Sequence, residues 1–432
     1  MLARNRRLQR GLFYGWIILG VIFVIELIVY GIRYSFSVFY LSILNEFGWS
    51  RASTAGIFSL NVIVYGLIAP FSGRLSDRFG PKKIVPLGVL LITFGMVMCS
   101  MASEIWHFYI LFGVIFAAGS CIAGWSQCLP VIIAWFMKKR GIALGLAMVG
   151  FGLCYLISPL AEFLIVNLSW RGAFIVLGVL PTLIIVPLTI LFVEHRPEDV
   201  GLLPYGALAA SQHTSESGVN GSGGDQEHSP RDYTLAKAMR TKRLWMLFLA
   251  DFCALGIGQH LMVAHQVALI HDIGYSEVFA ASIVGVYGVM SAVGYLSGFV
   301  SDRLGGKLTF TFGAAGILTA MVLLVTTRDA ANPWALYTYI GLFGVGMGLI
   351  GVGLNTTIAD LFQGRSFGAI NGFLMLGFGI GGSIGPWIGG YVFDTMGTYF
   401  PAFFLVILAF AMAWAFVWIA APRKTAKPRA KF

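Results

Sequence analysis

Few residues in this chain are able to do chemistry, and the best candidates sit where charge is least welcome. Glu26 and Arg33 interrupt an apolar run from 12 to 41, and Asp251, Gln259, His260, His265 and Gln266 interrupt another from 244 to 270. A charged group surrounded by hydrocarbon is costly and persists where it faces a cavity or a partner. At 100° per residue, Glu26, Tyr30, Arg33 and Ser37 fall within about 60° of one another and make one polar stripe. Arg33 brings a planar fork suited to a carboxylate. Glu26 and Asp251 are candidates to take a proton, because burial favours a neutral carboxyl and a nearby arginine favours an ionised one. Asp251 and His265 lie about 40° apart around a regular helix, while His260 falls on the opposite face. His265 is therefore the expected ligand, provided that Gly256-Ile257-Gly258 leaves the helix unbroken. Gln127 and Asn355 offer a donor and an acceptor each in two further runs, and Glu162, near the end of another, is expected to be solvated.

Other chemistries are absent from the pattern. The five cysteines (Cys99, Cys121, Cys128, Cys154 and Cys253) sit in apolar runs, without a C-x-x-C pair or a zinc spacing, so they read as small buried hydrophobes. No Walker sequence is present, which removes ATP-driven work. Neither a cofactor nor a metal is expected, and the chain does not read as an enzyme.

The elements that position these groups follow from composition. Hydrophobic residues make up 58% of the 432 and charged residues 11%, against roughly 25% charged in a soluble domain. About 20 apolar residues in helical form cross a bilayer core. Runs of that kind lie near 12–41, 52–73, 84–103, 106–136, 141–166 and 171–193, then near 244–270, 277–300, 308–327, 333–359, 366–393 and 399–421. The fold class is an all-α membrane protein of twelve spans, with both ends of the chain on one side. Arg4, Arg6, Arg7 and Arg10 precede the first run, which is too long for a signal-peptide core and reads as a span. With the N-terminus inside, the inside loops and tails hold 25 of the 29 lysines and arginines, so both termini are expected in the cytoplasm, with the chain spanning a plasma membrane. The net charge of +10 is thus a topology signal, and no nucleic-acid partner is expected.

The chain divides into an N-terminal six-helix bundle (1–193), a cytoplasmic linker (194–243) and a C-terminal bundle with its tail (244–432). The stretch 211–232 is too polar to bury a core and reads as a flexible linker; Thr234 to Arg243 suits a short basic helix on the inner face. The halves repeat. Gly48-Trp49-Ser50 returns as Gly274-Tyr275-Ser276, and Gly73, Asp77, Arg78 and Gly80 return as Gly298, Asp302, Arg303 and Gly305. Gly145, Gly150, Gly152 and Pro159 return as Gly372, Gly377, Gly379 and Pro386. Parallel six-span repeats with a site between them are a known transporter plan. Spacings such as Gly344/Gly348 and Gly141/Gly145 suit close helix packing.

The run Gly73-Arg74-Leu75-Ser76-Asp77-Arg78-Phe79-Gly80-Pro81-Lys82-Lys83 and its second copy, Gly298 to Lys307, resemble the loop signature of the major facilitator superfamily. Tyr14-Gly15-Trp16, Gly31 to Phe36, Phe47 to Arg51 and Trp135 to Gly141 resemble, more narrowly, the bacterial monocarboxylate and oxalate/formate transporter group. The resemblance implies two six-helix bundles that expose a central site to each side in turn, with span 1 lining the cavity. It implies an inner gate at Gly73, Asp77, Arg78, Arg140, Gly298, Asp302 and Arg303. Monocarboxylate transporters place an arginine in mid-span 8, whereas Tyr287 to Tyr295 here hold no cation.

The resulting expectation is a secondary transporter, acting as a monomer in the lipid bilayer, that moves a small organic anion with a proton. Arg33, Tyr30, Tyr34, Gln127, Gln259, His265 and Asn355 are expected to bind substrate, and Glu26 or Asp251 to carry the proton. Proton-driven efflux of a hydrophobic compound is the alternative within transport. A non-transporting sensor is the alternative outside it, and would need a folded output domain that the linker is too short and polar to supply.

Overall fold

The computed structural model describes residues 13–136, 140–205, 234–297, 301, 303–326, 333–362 and 367–421, apart from the side chains of residues 70, 73, 74, 76, 77, 140, 141 and 367–369. A chain in lipid must satisfy its backbone groups within each segment, and these runs do so as helices. We number them α1 (Tyr14–Phe47), α2 (Arg51–Phe79), α3 (Pro81–Cys99), α4 (Ile105–Trp135), α5 (140–168) and α6 (170–192) in the first half. The second half holds α7 (Lys242–Asp272), α8 (Glu277–Leu296), α9 (Gly306–Thr326), α10 (Pro333–Leu361), α11 (Phe367–Met396) and α12 (Phe400–Ala420). The apolar stretch Ile142–Phe192 runs 51 residues without a loop. At 1.5 Å per residue it would run about 76 Å, more than twice a bilayer core, and it turns back at Ser169 (φ 69°, ψ 163°). Among the described residues, the twelve expected runs thus correspond to twelve long helices. We call the side where α1 begins and α12 ends the terminal face, and the opposite side the distal face.

The repeat is visible in the backbone. Gly48 (φ 64°) and Gly274 (φ 111°) end α1 and α7 in left-handed conformations, and the serine two residues on caps the next helix. Ser50 Oγ accepts from Ser53 N–H (3.1 Å) and Ser276 Oγ from Phe279 N–H (3.3 Å). Gly-x-Ser is therefore a helix stop and start. Gly80 (φ 78°) and Gly305 (φ 85°) turn the chain in the two copies of the loop signature, and Ser169 and Gly397 (both φ 69°) turn it between the last two helices of each half.

Four of the long helices are not regular, α5 through a short 3-10 turn at Cys154–Leu156. α1 bends at Ser35, between Tyr14–Tyr34 and Phe36–Phe47. α4 contains a π-helical stretch (Tyr109–Phe116) and a break at Gly124, and α7 contains a second π stretch (Phe252–Gly258).

The halves meet chiefly along α2 with α11 and α5 with α8. Small residues allow the approach: a Cβ on Gly152 would lie 2.8 Å from Ala292 N, and one on Gly390 2.6 Å from the Arg51 carbonyl and from Ala52 Cα. Gly344 and Gly348 pack on α8 as their spacing predicts, but a Cβ on Gly145 would meet nothing within 4 Å. In α1 and α7, every residue of 28–41 and 256–270 is buried, whereas toward the terminal face Gly20, Phe23, Val24 and Leu27, with Met246, Leu249, Phe252 and Leu255, are at least partly exposed. The distal half of the central helices is packed shut, and their terminal half is open. After α6 the chain turns through Pro197–Val200 and bridges Phe136 with Tyr205. A short helix, Leu235–Met239, capped by Thr234, then leads to α7 where a basic helix was expected. The expected flexible stretch 211–232 lies outside the described residues.

Candidate functional site

Arg33 is 1% exposed and lies near the middle of α1, whose 34 residues run about 50 Å and extend past the bilayer core. Its Nε donates to Asn61 Oδ1 of α2 (2.8 Å), and Asn61 Nδ2 donates to the Phe112 carbonyl in the π stretch of α4 (2.9 Å). The guanidinium lies over the Tyr65 ring, 4.3 Å from Cζ to the centroid. Tyr65 is held in turn by Tyr30, whose hydroxyl is 2.6 Å from that of Tyr65 and accepts from Trp125 N–H (3.2 Å), the first backbone donor after the Gly124 break. A charge in mid-membrane costs roughly 3 kcal/mol on insertion scales. One charge-assisted hydrogen bond and one desolvated cation–π contact return about that much. Arg33 is thus held in place with Nη2 buried and unpartnered.

Glu26 does not complete that arrangement. It is seven residues from Arg33, about 10 Å along the axis, and the ion pairs among the described residues do not join them. The Cys128 thiol lies against Glu26, yet both carboxyl oxygens are buried without a conventional hydrogen bond. Asp251, its counterpart in the repeat, is 1% exposed and likewise has two buried, unpartnered oxygens.

The histidines exchange the places expected of them. The i→i+5 bonding of Phe252–Gly258 widens the turn and rotates every later residue relative to Asp251. His260 then faces the first half: its ring is 6.3 Å from Tyr34 and 6.0 Å from Phe58, with Phe378 of α11 at 4.8 Å. Its Nδ1 bonds the Leu255 and Gly256 carbonyls (2.9 and 3.2 Å), so Nδ1 carries the hydrogen, and Nε2 is buried without a partner. Tyr34 stands between the halves, its centroid 5.8 Å from Arg33 Cζ and its ring stacked on Tyr155 at 5.0 Å. His265, the residue preferred from the sequence, has both nitrogens engaged, with the Pro386 carbonyl (2.7 Å) and with the Tyr399 hydroxyl (3.1 Å).

The amides also part company. Gln127 Nε2 donates to the Ser72 carbonyl (3.0 Å) and hydroxyl (2.6 Å), bridging α4 to α2, while Asn355 is exposed and donates to Gly351 one turn back (2.9 Å). Gln259 is 5% exposed and adjacent to His260. Glu162, expected in solvent, is only 3% exposed, because α8 packs over α5. Of the expected inner gate, Arg78 is exposed with Cζ 5.2 Å from the Phe79 ring, and Arg303 is exposed. The side chains of Gly73, Asp77 and Arg140, and the residues Gly298 and Asp302, lie outside the described residues.

The distal face carries a cluster that the sequence reading passed over as loop charge. Arg51 makes a two-pronged pair with Asp272 (2.7 and 3.0 Å), donates to the Tyr399 hydroxyl (2.8 Å) and lies 3.7 Å from the Phe393 centroid. Asp394 accepts from the Arg51 and Ala52 N–H groups (2.9 and 2.7 Å), capping the N-terminus of α2 from the other half. Tyr399 passes this contact on to His265, so the second histidine belongs to the distal seal. Asn61, Tyr65 and Arg51 were the residues missed; a lone asparagine within an apolar run was the one mark the first left in the sequence.

Comparison with known proteins matches the family model of the Major Facilitator Superfamily over residues 22–371 and 298–432. Monocarboxylate transporter 13 of Bos taurus is 26% identical over 417 residues, covering 95% of this chain and 89% of that protein. Monocarboxylate transporter 11 of Homo sapiens is 26% identical over 431 residues, covering 95% and 83%. Among solved structures, a bacterial homolog of the human lysosomal transporter Spinster, in an inward-facing and unoccupied conformation, superposes with a TM-score of 0.68 at 16% identity. It covers 95% of this chain and 97% of that one.

Proposed function

Since the chain belongs to the major facilitator superfamily, we propose that it transports a small organic carboxylate between its two halves, with a proton, and that Arg33 is the group that selects the anion. The observation carrying this reading is the Arg33 guanidinium, fixed by Asn61 and Tyr65 within α1 with Nη2 buried and unpartnered. A substrate carboxylate supplies the missing acceptor. His260 Nε2, from the opposite half, has a lone pair in the neutral ring and accepts from a donor on the substrate. Closing the halves around one molecule then satisfies a polar atom on each side, which links binding to the rocking motion. Glu26 and Asp251 are the proton carriers in this reading, because each is a buried carboxyl within a span, Asp251 with no hydrogen-bond partner and Glu26 with only the weak thiol donor of Cys128 beside it.

Likeness to monocarboxylate transporters, over nearly the whole chain, supports the substrate class. The concentration of lysine and arginine near the terminal face supports placing both termini in the cytoplasm, and the packed distal face then corresponds to a cytoplasm-open state. Aromatic walls at Tyr34, Phe58, Phe151 and Tyr155 favour the second reading, extrusion of a hydrophobic compound. Thermal stability of the purified protein with a panel of C2–C6 monocarboxylates separates the two. Binding raises apparent stability by mass action, so at least one carboxylate should raise the midpoint of the wild type and leave Arg33→Gln unmoved. A midpoint raised only by neutral hydrophobic compounds sinks the carboxylate reading.

A further inference from the structure

We infer that Asn61 is the residue that sets the specificity of this site, by committing one edge of the Arg33 guanidinium and leaving the other for a planar two-oxygen group; the inference rests on the carboxylate reading above. A guanidinium has two edges with paired parallel donors, Nε with Nη2 and Nη1 with Nη2. Asn61 Oδ1 occupies Nε at 2.8 Å, which spoils the first edge for any ligand. Tyr65 covers one face at 4.3 Å, so the plane cannot tilt. What remains is the Nη1–Nη2 edge, whose Nη2 is buried and has no partner. A carboxylate fits that edge with two parallel bonds; a single hydroxyl or carbonyl oxygen does not fill it.

Asn61 is itself fixed. Its side chain is fully buried, and its Nδ2 is bonded at 2.9 Å to the Phe112 carbonyl, within Tyr109–Phe116, where π-helical bonding lengthens the turn. That second bond determines which end of the amide faces Arg33, because the NH2 group must point at the carbonyl and the oxygen at Nε. A reversed amide would present two donors to a cation. The irregular turn in α4 therefore orients the amide, the amide orients the guanidinium, and the guanidinium selects the ligand. Asn61 touches no ligand in this scheme and is a positioning residue. At the repeat offset of 226, its place in the second half is held by Tyr287 and that of Arg33 by Gln259, so only one half carries the device.

A double-substitution cycle in the full-length protein tests this. The probe is the tightest binder of the C2–C6 monocarboxylate panel, read as KM and kcat for uptake into proteoliposomes. Asn61→Leu should raise KM about tenfold, as loss of one charge-assisted bond implies, with kcat within about threefold. Asn61→Asp keeps an acceptor on Nε but neutralises the cation, and should abolish binding. In an Arg33→Lys background, which has no Nε donor, Asn61→Leu should change the residual binding of the probe, read by thermal shift, by less than about twofold. If Asn61→Leu and Asn61→Asp behave alike, or if Asn61→Leu costs the same in both backgrounds, Asn61 is only a helix bridge and the inference fails while the carboxylate reading stands. If the wild type binds no carboxylate of the panel, that reading fails and takes this inference with it.

Discussion

Arg33 keeps a charge in the hydrocarbon layer because each of its contacts does a separate job: Asn61 takes Nε, Tyr65 takes one face, and Nη2 is left over. The neighbouring histidines show how much depends on such bookkeeping of atoms. His260 has one buried nitrogen without a partner, and His265 has none. His260→Ala should therefore raise KM about tenfold, the value of one hydrogen bond in a dry site. His265→Ala should leave KM within about twofold and weaken the distal contacts instead. Uptake kinetics on the two variants check this, and the reverse ranking would remove His260 from the site. Of the polar stripe expected on α1, the closeness of Tyr30 and Arg33 follows from the regular helical period up to Ser35, whereas Ser37 lies beyond the bend and Glu26 stands apart from Arg33. The choice between the histidines was not legible in the sequence, since seven residues of π-helix before Gln259 rotate everything beyond them. Asn61 was hidden for another reason: a lone amide in an apolar run looks like any helix-to-helix bridge until its partner is known.

The elements were far more legible than the side chains. Twelve apolar runs mark twelve helices because lipid leaves the backbone no other way to bond, and Gly48 and Gly274 mark stops because a left-handed cap favours glycine. Ser169 is the exception. It sits at φ 69° and ψ 163°, a region almost reserved for glycine, where the repeat places Gly397 at φ 69°. Ser169→Gly should relieve about 1 kcal/mol of strain, net of the greater freedom glycine gains on unfolding. A rise in the thermal midpoint is expected, and a fall would show that the turn is not strained. The division of Ile142–Phe192 into two spans could be read from length, but nothing in the residues announced that a serine would carry the turn.

At the scale of the molecule, one closed face and one open one imply a second state with the faces exchanged. The distal seal is suited to reversal. Arg51 and Asp272 retain 17% and 27% side-chain exposure, so both groups can be re-solvated when the face opens, and the cluster closes the face without locking it. Arg51→Ala should shift the population toward the distal-open state. A cysteine introduced at Ser37, which is 1% exposed, should then react several-fold faster with a membrane-impermeant maleimide applied from the distal side; the five native cysteines are all buried. An unchanged rate would mean that Arg51 does not hold this face shut. The asymmetry between halves, a cation in α1 against neutral Gln259 and His260 in α7, also fits a carrier that fixes its substrate in one half and closes the other over it. The claim that this substrate is held by Arg33 is tested most directly by uptake of a radiolabelled C2–C6 monocarboxylate into proteoliposomes under an imposed pH gradient. The account predicts gradient-driven uptake by the wild type, background counts for Arg33→Gln and uptake reduced at least tenfold, on residual binding, for Arg33→Lys, with both variants folded and reconstituted to the same density. Wild-type rates in the two variants would contradict it.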